Sequence, residues 1–491
     1  FGSSLSRPTP WLFIGVEAMA EEVAPGDTTV RVALRVRPLS QKEITEGGEN
    51  CVECLNDGMS LNLHTDNAAG PHSFTFDHVF GANSSQPEIF LKLGNPLLDK
   101  AFEGYNSTIF AYGQTGSGKT HTMEGFPYED ADQAAAPGTL AAPPRPIVRD
   151  VDEDILGVVP RAVRELVELV DAQKAKAQAA ASESQERTSF VLKVSFMQIY
   201  QERIYDLLNP ATLEALHGLG KPASKSTFSP ETDEDVSLRL RWDAGRGLFY
   251  VENLFEYECS SALEVLEHYA AGVESKQVAA TTMNATSSRS HTIFVVSLTS
   301  RKEIVQSAEE GEEAVVVPLQ EVVSNLALVD LAGSERAGAH EEHGGSRFKE
   351  AVNINQSLFV LRRVITALSK RVPGQEDSHC PYRDSKLTSL LQHTIGGNAF
   401  MLMFACLSPA DKYFEENLST LQYATQAASI KNHPVINLDP KDQLIMQLRA
   451  QLEAAHAYIL KHTGLEELPP ELAAAKVDLG PYRLRHRRKA E

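Results

Sequence analysis

One glycine-rich octapeptide constrains the fold of this chain more than any other feature. Residues 113–120 read Gly-Gln-Thr-Gly-Ser-Gly-Lys-Thr, which is a complete GxxxxGK[ST] motif. The apolar segment Ser107–Tyr112 precedes it directly and has the length of a buried strand. A strand, loop and helix in this order let successive backbone N–H groups curl around phosphate oxygens. The sequence therefore predicts a phosphate-binding loop (P-loop) within an α/β domain.

The side chains of the P-loop suit a bound nucleotide. Lys119 supplies a cation for the β- and γ-phosphate oxygens, and the hydroxyl of Thr120 suits Mg²⁺. The alternative is a chance glycine-rich turn, which the preceding strand disfavours. The expected nucleotide-binding residues of the loop are Gly113, Gln114, Thr115, Gly116, Ser117, Gly118, Lys119 and Thr120.

Apolar strands and amphipathic helices alternate from Val30 onward. The predicted strands are Val30–Val36, Ser107–Tyr112, Val191–Ile199, Thr292–Leu298, Asn325–Val329 and Phe400–Ala405. The predicted helices are Arg161–Val170, Ser261–Ala271, Asn353–Ser369 and Glu415–Ile430. Surface insertions, which are too poor in apolar residues to order themselves, are expected near 126–156, 209–235 and 303–319. This alternation is typical of an α/β domain with a buried central sheet.

Both ends of the chain differ in composition from this central region. Residues 1–29 are interpreted as an N-terminal extension with Met19 as a natural start, and residues 30–430 as the main domain. A short helix is predicted over 441–463, either packed on the domain or forming a short coiled coil. Residues 464–491, which include the basic segment Arg483–Lys489, are expected to form a disordered tail.

Charge and composition exclude several classes of protein. The 491 residues carry a formal net charge of −20, which disfavours a protein that coats nucleic acid or an anionic membrane. The longest apolar run, Phe400–Leu407, is too short for a membrane helix, so no membrane insertion is expected. The five cysteines fit reduced thiols, and Cys51 and Cys54 are interpreted as ordinary thiols because no second ligand pair follows them.

Two further polar segments lie where they could sense a γ-phosphate. The strand Asn325–Val329 ends at Asp330, from which a carboxylate can hold Mg²⁺ through water. Gly333 follows and can present a backbone N–H to the γ-phosphate. The segment Asn284–His291 is rich in hydroxyls that suit Mg²⁺ and phosphate, with a capped loop as the alternative.

Together with the P-loop, these segments resemble the motifs of the kinesin motor domain. Asn284–His291 is similar to the switch I motif of that family, and DLAGSE at 330–335 is similar to its switch II motif. RVRP at 35–38 resembles the adenine-side motif, and the likeness runs in order from about Val30 to about Asn437. It implies a P-loop NTPase fold with a central, mainly parallel eight-stranded sheet flanked by helices on both faces.

The resemblance implies a catalytic role for several switch residues. Ser288 and Asp330 would complete the Mg²⁺ shell, and Gly333 would sense the γ-phosphate. Arg289 and Glu335 would form an ion pair that closes the two switches and relays a proton from the lytic water. The implied enzyme is an ATP hydrolase in which positioning and charge stabilisation contribute most of the catalysis.

The resemblance also implies how ATP is held. Arg35, Pro38 and His121 would flank the adenine ring. Lys119 and Thr120 would hold the phosphates and Mg²⁺, in agreement with the reading from the residues alone.

A microtubule is acidic, so a motor with this net charge needs a concentrated basic face. Between Gly345 and Leu387 eight basic residues stand against four acidic ones, and the resemblance places the main microtubule-contacting helix and the following loop here. A solvated helix face would explain scattered charges but not this reversal of sign. The predicted basic patch is centred on Arg347, Lys349, Arg383 and Lys386.

Several positions depart from the family pattern. Gln356 replaces a lysine, Arg362 and Arg363 replace a Gly-Asn pair, and Gln426 stands where an arginine is common. The loop after switch II is acidified at 341–342. These changes leave the residues of the ATP chemistry untouched and bear on affinity for the track or on force coupling.

The implied function is a microtubule-stimulated ATPase with a neck linker over 431–440. Ile430 would fill a pocket on the core and Asn437 would latch the linker, which favours plus-end-directed movement. The alternative is a static or regulatory microtubule-associated protein, for instance on an axoneme. A GTPase is disfavoured because no NKxD motif occurs. The expected location is the cytoplasmic microtubule cytoskeleton or the axoneme of a cilium. The expected form of self-association is a homodimer through sequence beyond the motor.

Overall fold

A computed structural model gives the structure of the chain. It describes residues 28–65, 70–125, 153–180, 186–209, 237–245, 247–282, 289–306, 315–335, 346–371 and 379–438, and Lys441, Leu444, Leu448, Leu452, Ala455 and His456. The chain divides into two units, residues 1–437 and residues 438–491. The P-loop and both switch motifs belong to the first unit.

Strands and helices alternate along the first unit as the sequence predicts. In chain order the strands are β1 (Thr28–Thr29), β2 (Arg31–Val36), β3 (Val52–Cys54), β4 (Ser60–Leu63), β5 (His72–Thr75), β6 (His78–Phe80), β7 (Ser107–Tyr112), β8 (Glu186–Tyr200), β9 (Arg203–Asp206), β10 (Leu240–Asp243), β11 (Leu248–Val251), β12 (Tyr257–Cys259), β13 (His291–Gln306), β14 (Val315–Asp330), β15 (Phe400–Leu407) and β16 (Lys431–Asn432). The helices are α1 (Gln41–Thr45), α2 (Gln86–Ile89), α3 (Asn95–Phe102), α4 (Lys119–Met123), α5 (Val158–Ala180), α6 (Ala262–Thr282), α7 (Ser346–Ser369), α8 (Lys386–Leu390) and α9 (Phe414–Ala428).

The central sheet has nine strands. Its order is β12-β8-β13-β14-β7-β15-β2-β6, and the short strand β9 pairs with β8. The neighbours from β14 to β6 run parallel, whereas β12, β8, β13 and β14 pair antiparallel. The eight strands along this path confirm the predicted fold class. The sheet is mixed rather than mainly parallel, because β13 continues into β14 as a long antiparallel hairpin that needs no crossover helix.

Apolar clusters cover both faces of the sheet, as the alternation of side chains along a strand requires. On β7, Phe110 and Tyr112 belong to one cluster, and Ile109 and Ala111 belong to the other. The first cluster contains residues of α7 and α9, and the second contains residues of α3, α5 and α6. The predicted layering, with helices on both faces of the sheet, is therefore confirmed.

The insertion predicted near 303–319 is narrower than expected. Glu303–Gln306 continues β13, and Val315–Leu319 belongs to β14. The pairing of β13 with β14 shifts register between Lys302 and Glu303, and the two strands remain paired on both sides of this irregularity. Backbone hydrogen bonds between the strands thus order a sequence that composition alone assigned to a loop, and only residues 307–314 lie outside the described part.

The other two predicted insertions lie mostly outside the described residues. Of the segment near 126–156, only the end is described: Glu153–Ile155 forms a 3₁₀ turn and Leu156 is buried. Of the segment near 209–235, only Asn209 is described.

The segment that follows α9 pairs with the core. In β16, Lys431 and Asn432 form an antiparallel pair with Thr29 and Thr28 of β1. Ile430 is only 1% exposed and belongs to the apolar cluster that includes α7 and α9. The side chain of Asn437 accepts a hydrogen bond from Asn398 Nδ2 at 2.8 Å. Residues 430–437, which include most of the linker predicted over 431–440, thus pack against other parts of the first unit.

The second unit is described at a few positions only. Lys441, Leu444, Leu448, Leu452, Ala455 and His456 have helical backbone. Leu444, Leu448 and Leu452 are each more than half exposed. The helix predicted over 441–463 therefore remains a prediction, and the predicted tail lies outside the described residues. Within the described part of the chain, no helix has the length and apolar character that a membrane span requires.

Candidate functional site

The P-loop begins at the end of β7, in the middle of the parallel strands. Gly113, Gly116 and Gly118 have φ values of +149°, +76° and +98°, which residues with a side chain rarely adopt. A Cβ on Gly113 would lie 2.3 Å from the carbonyl oxygen of Cys406 on β15. The glycines predicted from the motif are therefore required both by the loop conformation and by its close approach to the neighbouring strand.

Lys119 lies across the loop that it follows. Its Nζ donates hydrogen bonds to the carbonyl oxygens of Gly113 and Gln114, both at 2.9 Å. Burial lowers the pKa of Lys119, and the negative charges of Asp330 and Glu335 oppose that shift. The ammonium group is thus held at the centre of the loop, as predicted for a cation directed at phosphate oxygens.

Thr120 and Asp330 meet at the carboxyl ends of two parallel strands. Asp330 at the end of β14 is in register with Ala111 of β7, and Thr120 Oγ1 donates to Asp330 Oδ2 at 2.8 Å. Lys276 of α6 forms an ion pair with the same carboxylate oxygen at 3.7 Å and is buried with it. The hydroxyl and carboxylate predicted to serve Mg²⁺ are therefore adjacent. Lys276 has no motif around it, and only its distance from Asp330 identifies it.

Buried polar atoms around the loop remain without a partner, which tests whether a nucleotide and Mg²⁺ suit this site. Within the described residues, Gln114 Oε1 and Nε2, Ser117 Oγ and Asp330 Oδ1 have no hydrogen-bond partner. Unpaired buried polar atoms are costly and uncommon in folded proteins. Because these atoms flank Lys119 and Thr120, a phosphate group and a hydrated cation would suit the site chemically.

The switch II segment closes over the P-loop through Glu335. The carboxylate of Glu335 accepts a hydrogen bond from the backbone N–H of Thr115 at 2.8 Å and a second one from the Thr115 hydroxyl. Gly333 lies below this contact, and a Cβ there would be 2.3 Å from both Glu335 Oε2 and Thr115 Oγ1. Gly333 is therefore required by close packing against Thr115 and Glu335, and its contact with a γ-phosphate remains a prediction.

The predicted ion pair between the two switches remains a prediction. Both oxygens of Glu335 bind Thr115 in this structure, and Arg289 lies half-buried directly before β13. Ser288, the predicted Mg²⁺ ligand from switch I, lies outside the described residues together with residues 283–287.

His291, the last residue of the switch I motif, connects both switches to α7. Its Nδ1 accepts from the backbone N–H of Ala332 at 3.0 Å, so the ring proton is on Nε2, which lies 2.7 Å from Ser357 Oγ. Burial first, and then the charge of Lys119, lower the pKa of His291 to about 3. The imidazole is therefore neutral and ties switch II to the helix that follows it. Sequence reasoning included His291 in the motif but assigned it no role.

The adenine-side residues are brought together only in part. Arg35 is buried and donates to Gln86 Oε1 at 2.8 Å and to Thr122 Oγ1 at 3.0 Å. The side chain of Gln86 donates to the carbonyl oxygen of His121 at 2.7 Å, so Arg35 and His121 share one partner. Pro38 instead lines a cleft of about 340 Å³ that includes neither of them. Their contact with adenine remains a prediction.

Arg37 was not predicted to belong to the site. Its Nε donates to the carbonyl oxygen of Gly116 at 2.6 Å, and both Nη atoms bind the carboxylate of Glu43 at 2.6 and 2.7 Å. This hydrogen-bonded guanidinium lowers the pKa of Glu43 to about 2. Glu43 also closes a capping box with Ser40, which S-x-x-E at 40–43 could have indicated. Arg37 thus ties the P-loop to α1.

The predicted basic patch is less uniform than the residue count implied. The side chains of Arg347 and Lys349 lie outside the described part. Arg383 is exposed, whereas Lys386 is half-buried, and burial lowers its pKa against the attraction of Glu202. Arg363 is paired with Asp384 at 2.8 Å.

Arg362 turns towards the interior instead of the solvent. Its Nη2 donates to Ser419 Oγ of α9 at 2.9 Å and to Tyr112 Oη at 3.2 Å. Its guanidinium carbon also lies 5.7 Å from the centroid of the Tyr423 ring. Because Tyr112 immediately precedes Gly113, one side chain of α7 connects the strand of the P-loop with the helix before the docked segment.

Comparisons with known proteins agree with this geometry. The model of the kinesin motor domain family matches residues 35–430. The kinesin-like protein KIN-4A of Arabidopsis thaliana is 35% identical over 90% of this chain and 38% of its own length. The chromosome-associated kinesin KIF4A of Homo sapiens is 37% identical over 91% of this chain and 30% of its own length. This chain thus spans 30–38% of the length of these two relatives.

A solved structure gives the same result for the fold. It is described as that of a fast kinesin, with implications for its ATPase mechanism and its interactions with microtubules. The match has a TM-score of 0.63 at 33% sequence identity, and it covers 84% of this chain and 94% of the other.

Proposed function

This chain belongs to the kinesin motor domain family, and on that premise we propose that it is a microtubule-stimulated ATPase that couples ATP hydrolysis to force or movement. One observation carries the proposal. The P-loop, Asp330 and the turn from Gly333 to Glu335 converge within hydrogen-bond distance, so a γ-phosphate there would contact both the loop and switch II. A fold that only bound microtubules would have no chemical need for this convergence.

The proposed ligands are ATP and Mg²⁺. Lys119 and the N–H groups of the P-loop would bind the β- and γ-phosphates, and Thr120 with Asp330 would hold the hydrated cation, joined by Ser288 from switch I. Mg²⁺ would supply charge neutralisation of the phosphates. Arg35, Pro38 and His121 are proposed to flank the adenine ring.

Catalysis is proposed to depend on Glu335 changing its partner. In this structure Glu335 binds the N–H and hydroxyl of Thr115. When the switches close, we expect Glu335 to bind Arg289 instead, and Gly333 to donate its N–H to the γ-phosphate. The pair would then orient the lytic water and relay its proton, which is mainly a positioning effect.

The proposed output is the docking of residues 430–437. Ile430 is buried in the core and Asn437 is bound by Asn398, which supports a linker that docks along the first unit. For a motor whose neck follows the core, such docking favours movement towards the plus end. Leu444, Leu448 and Leu452 expose an apolar stripe that suits a homodimer through a short coiled coil.

The proposed partner is the microtubule, bound through Arg347, Lys349, Arg383 and Lys386. A concentrated basic patch is needed because the chain as a whole carries a charge of −20. The proposed location is therefore the microtubule cytoskeleton of the cytoplasm or nucleus. The relatives KIF4A and KIF4B of Homo sapiens are named chromosome-associated kinesins. These names give no support to a ciliary location.

ATP turnover measured with and without microtubules tests the proposal. We expect slow turnover by the chain alone and a rise of at least tenfold when microtubules are added, with phosphate release as the readout. Reversing the charge of Arg383 and Lys386 to Glu should remove the stimulation and prevent co-sedimentation. Binding to microtubules without any stimulation of turnover would contradict a motor and would support a static microtubule-associated protein.

A further inference from the structure

An exposed arginine of the basic patch lies on two aromatic rings that are distant in sequence. The guanidinium carbon of Arg383 is 5.5 Å from the ring centroid of Trp242 and 5.8 Å from that of Phe249. Trp242 on β10 and Phe249 on β11 are directly paired across the hairpin, and their centroids are 4.8 Å apart at 63°. Both rings thus lie close to the guanidinium, within the range of cation–π attraction.

The carboxylates next to Arg383 in sequence and in space are bound elsewhere. Asp384 is paired with Arg363 of α7 at 2.8 Å. Glu202 accepts hydrogen bonds from Ser385 Oγ at 2.8 Å and from the backbone N–H of Lys386 at 2.7 Å. Within the described part of the chain, no carboxylate forms an ion pair with Arg383. Among the described residues, its charge is therefore not neutralised by a neighbouring carboxylate.

This arrangement has a different effect from an ion pair. An aromatic ring attracts a cation but carries no net charge, so a guanidinium held against two rings keeps its full positive charge. An unsupported arginine would lose rotamer freedom on binding a partner, whereas a stacked arginine has already lost part of it. Arg383 is thus both charged and held in place, which is favourable for contact with an acidic surface.

We propose that Trp242 and Phe249 are positioning residues that hold Arg383 for contact with the acidic surface of a microtubule. The inference rests on the proposed function, since it requires that the basic patch binds the track. It assigns a role to the β10–β11 hairpin, whose strands the sequence pattern did not predict. The Trp242 side chain is 41% exposed, so its ring is accessible from the surface where Arg383 lies.

A double-mutant cycle on microtubule affinity tests this role. A cation–π contact at an exposed site corresponds to a factor of about two to five in affinity, so we expect Trp242→Ala to weaken microtubule binding by about that factor. Arg383→Ala should weaken it about tenfold, and Trp242→Ala should add almost nothing in the Arg383→Ala background. Binding is measured by co-sedimentation over a range of microtubule concentrations.

Two further variants separate positioning from general stability. Trp242→Phe keeps a ring under the guanidinium and should restore most of the affinity. Arg383→Lys keeps the charge but loses the planar stacking group, so it should resemble Trp242→Ala. The matched control is Tyr250→Ala, because Tyr250 lies on the same hairpin and is 45% exposed, against 41% for Trp242. The control should bind like the wild type, and thermal unfolding should confirm that each variant folds.

The outcomes distinguish this inference from the proposed function. If the wild type fails to pellet with microtubules, the proposed function is wrong and the inference falls with it. If the wild type pellets and Trp242→Ala pellets equally well, only the inference is wrong. A multiplicative loss in the double variant, about twenty to fifty times weaker than wild type, would show that Trp242 acts independently of Arg383 and would overturn its positioning role.

Discussion

At the nucleotide side of the domain, where β7 and β14 end, the contacts join residues of short motifs. At the output side, where α7, α9 and residues 430–437 meet, they join isolated side chains instead. On the nucleotide side, Thr120 binds Asp330 and Thr115 binds Glu335. On the output side, Arg362 binds Ser419. The first side is fixed by backbone geometry that a motif encodes, and the second by contacts that no local pattern encodes.

The output side also contains departures from the family pattern, and the structure gives partners to those at Arg362, Arg363 and Gln426. Arg363 pairs with Asp384, and Gln426 accepts a hydrogen bond from Thr366 at 2.9 Å. Arg362 lies against Tyr423, whose ring is 4.3 Å from that of Tyr112. These three side chains therefore connect α7 with neighbouring elements. We expect changes on the nucleotide side to impair ATP binding or hydrolysis, and changes on the output side to impair docking of residues 430–437.

Removal of the P-loop cation should have the largest effect. We expect Lys119→Ala to abolish ATP binding, because the backbone N–H groups alone cannot balance the β- and γ-phosphate charge. Isothermal titration calorimetry with ATP and Mg²⁺ measures this. Lys92→Ala is the matched control, since Lys92 forms an exposed pair with Glu88 and lies over the Phe80 ring, and it should bind ATP like the wild type. Tight ATP binding by Lys119→Ala would show that the nucleotide side is wrongly assigned.

The switch pair should affect hydrolysis more than binding. We expect Arg289→Ala and Glu335→Ala each to reduce ATP turnover at least a hundredfold while ADP binding changes little, because the pair acts only when the switches close. The double variant should lose little more than either single one. Single-turnover hydrolysis and ADP titration measure the two steps. Losses that multiply in the double variant would argue against a pair that works as a unit.

His291 lies between the two sides and should make their connection sensitive to pH. Its pKa is lowered to about 3, whereas an unfolded histidine has a pKa of about 6.5. Only the unfolded state therefore takes up this proton as the pH falls, so the stabilising contribution is complete above pH 6.5 and declines from there towards pH 3. The decline is about 1.4 kcal/mol per pH unit for one such group.

Replacement of this histidine isolates its share of the pH dependence. In His291→Asn the Oδ1 atom can still accept the hydrogen bond from Ala332, but no imidazole titrates. We expect the variant to be less stable at pH 7.5 and the difference from wild type to narrow by about 1 kcal/mol between pH 6.5 and 5.5, because half of the unfolded chains already carry the proton at pH 6.5. Urea unfolding of the wild type and the variant at pH 7.5, 6.5 and 5.5 measures this difference in the free energy of unfolding. Parallel stability curves would mean that His291 is not held neutral.

Sequence reasoning predicted the nucleotide side well for a physical reason. Strand β7 was predicted at its observed boundaries, because a buried parallel strand is a continuous apolar run. The roles of Gly113 and Lys119 follow from local backbone geometry next to that run. Asp330 was predicted because the carboxyl end of a parallel strand points to the same edge as its neighbour.

The remaining contacts were beyond sequence reasoning because they depend on distance in the folded chain. Lys276 reaches Asp330 from another element, and Arg37 reaches Gly116 across the site. Sequence reasoning also failed to predict the ends of the β13–β14 hairpin. Charged residues at 303–319 suggested a loop, yet antiparallel pairing of the backbone orders both ends of this segment.

The latch of the docked segment should show the smallest effect. Asn437 accepts from Asn398 Nδ2 at 2.8 Å and donates through Nδ2 to the carbonyl oxygen of Gly104 at 3.2 Å. Its backbone also bonds to Gly104 and Val323, and these bonds survive a change of side chain. We therefore expect Asn437→Ala to cost only about 1 kcal/mol of docking free energy, which raises the ratio of undocked to docked chains about fivefold.

Amide hydrogen exchange of residues 430–437 measures this shift, because exchange from a docked segment proceeds through local opening. We expect exchange to be about fivefold faster in Asn437→Ala, with ATP binding unchanged, since the nucleotide side is built separately. Val435→Ala is the matched control: this side chain is 53% exposed, and the hydrogen bond from Val435 to Asn398 uses only its backbone N–H. Equal protection in wild type and Asn437→Ala would show that the backbone bonds and the burial of Ile430 suffice to hold the segment. A loss of ATP affinity in the same variant would break the separation between the two sides, because a side-chain change at the output end would then reach the P-loop.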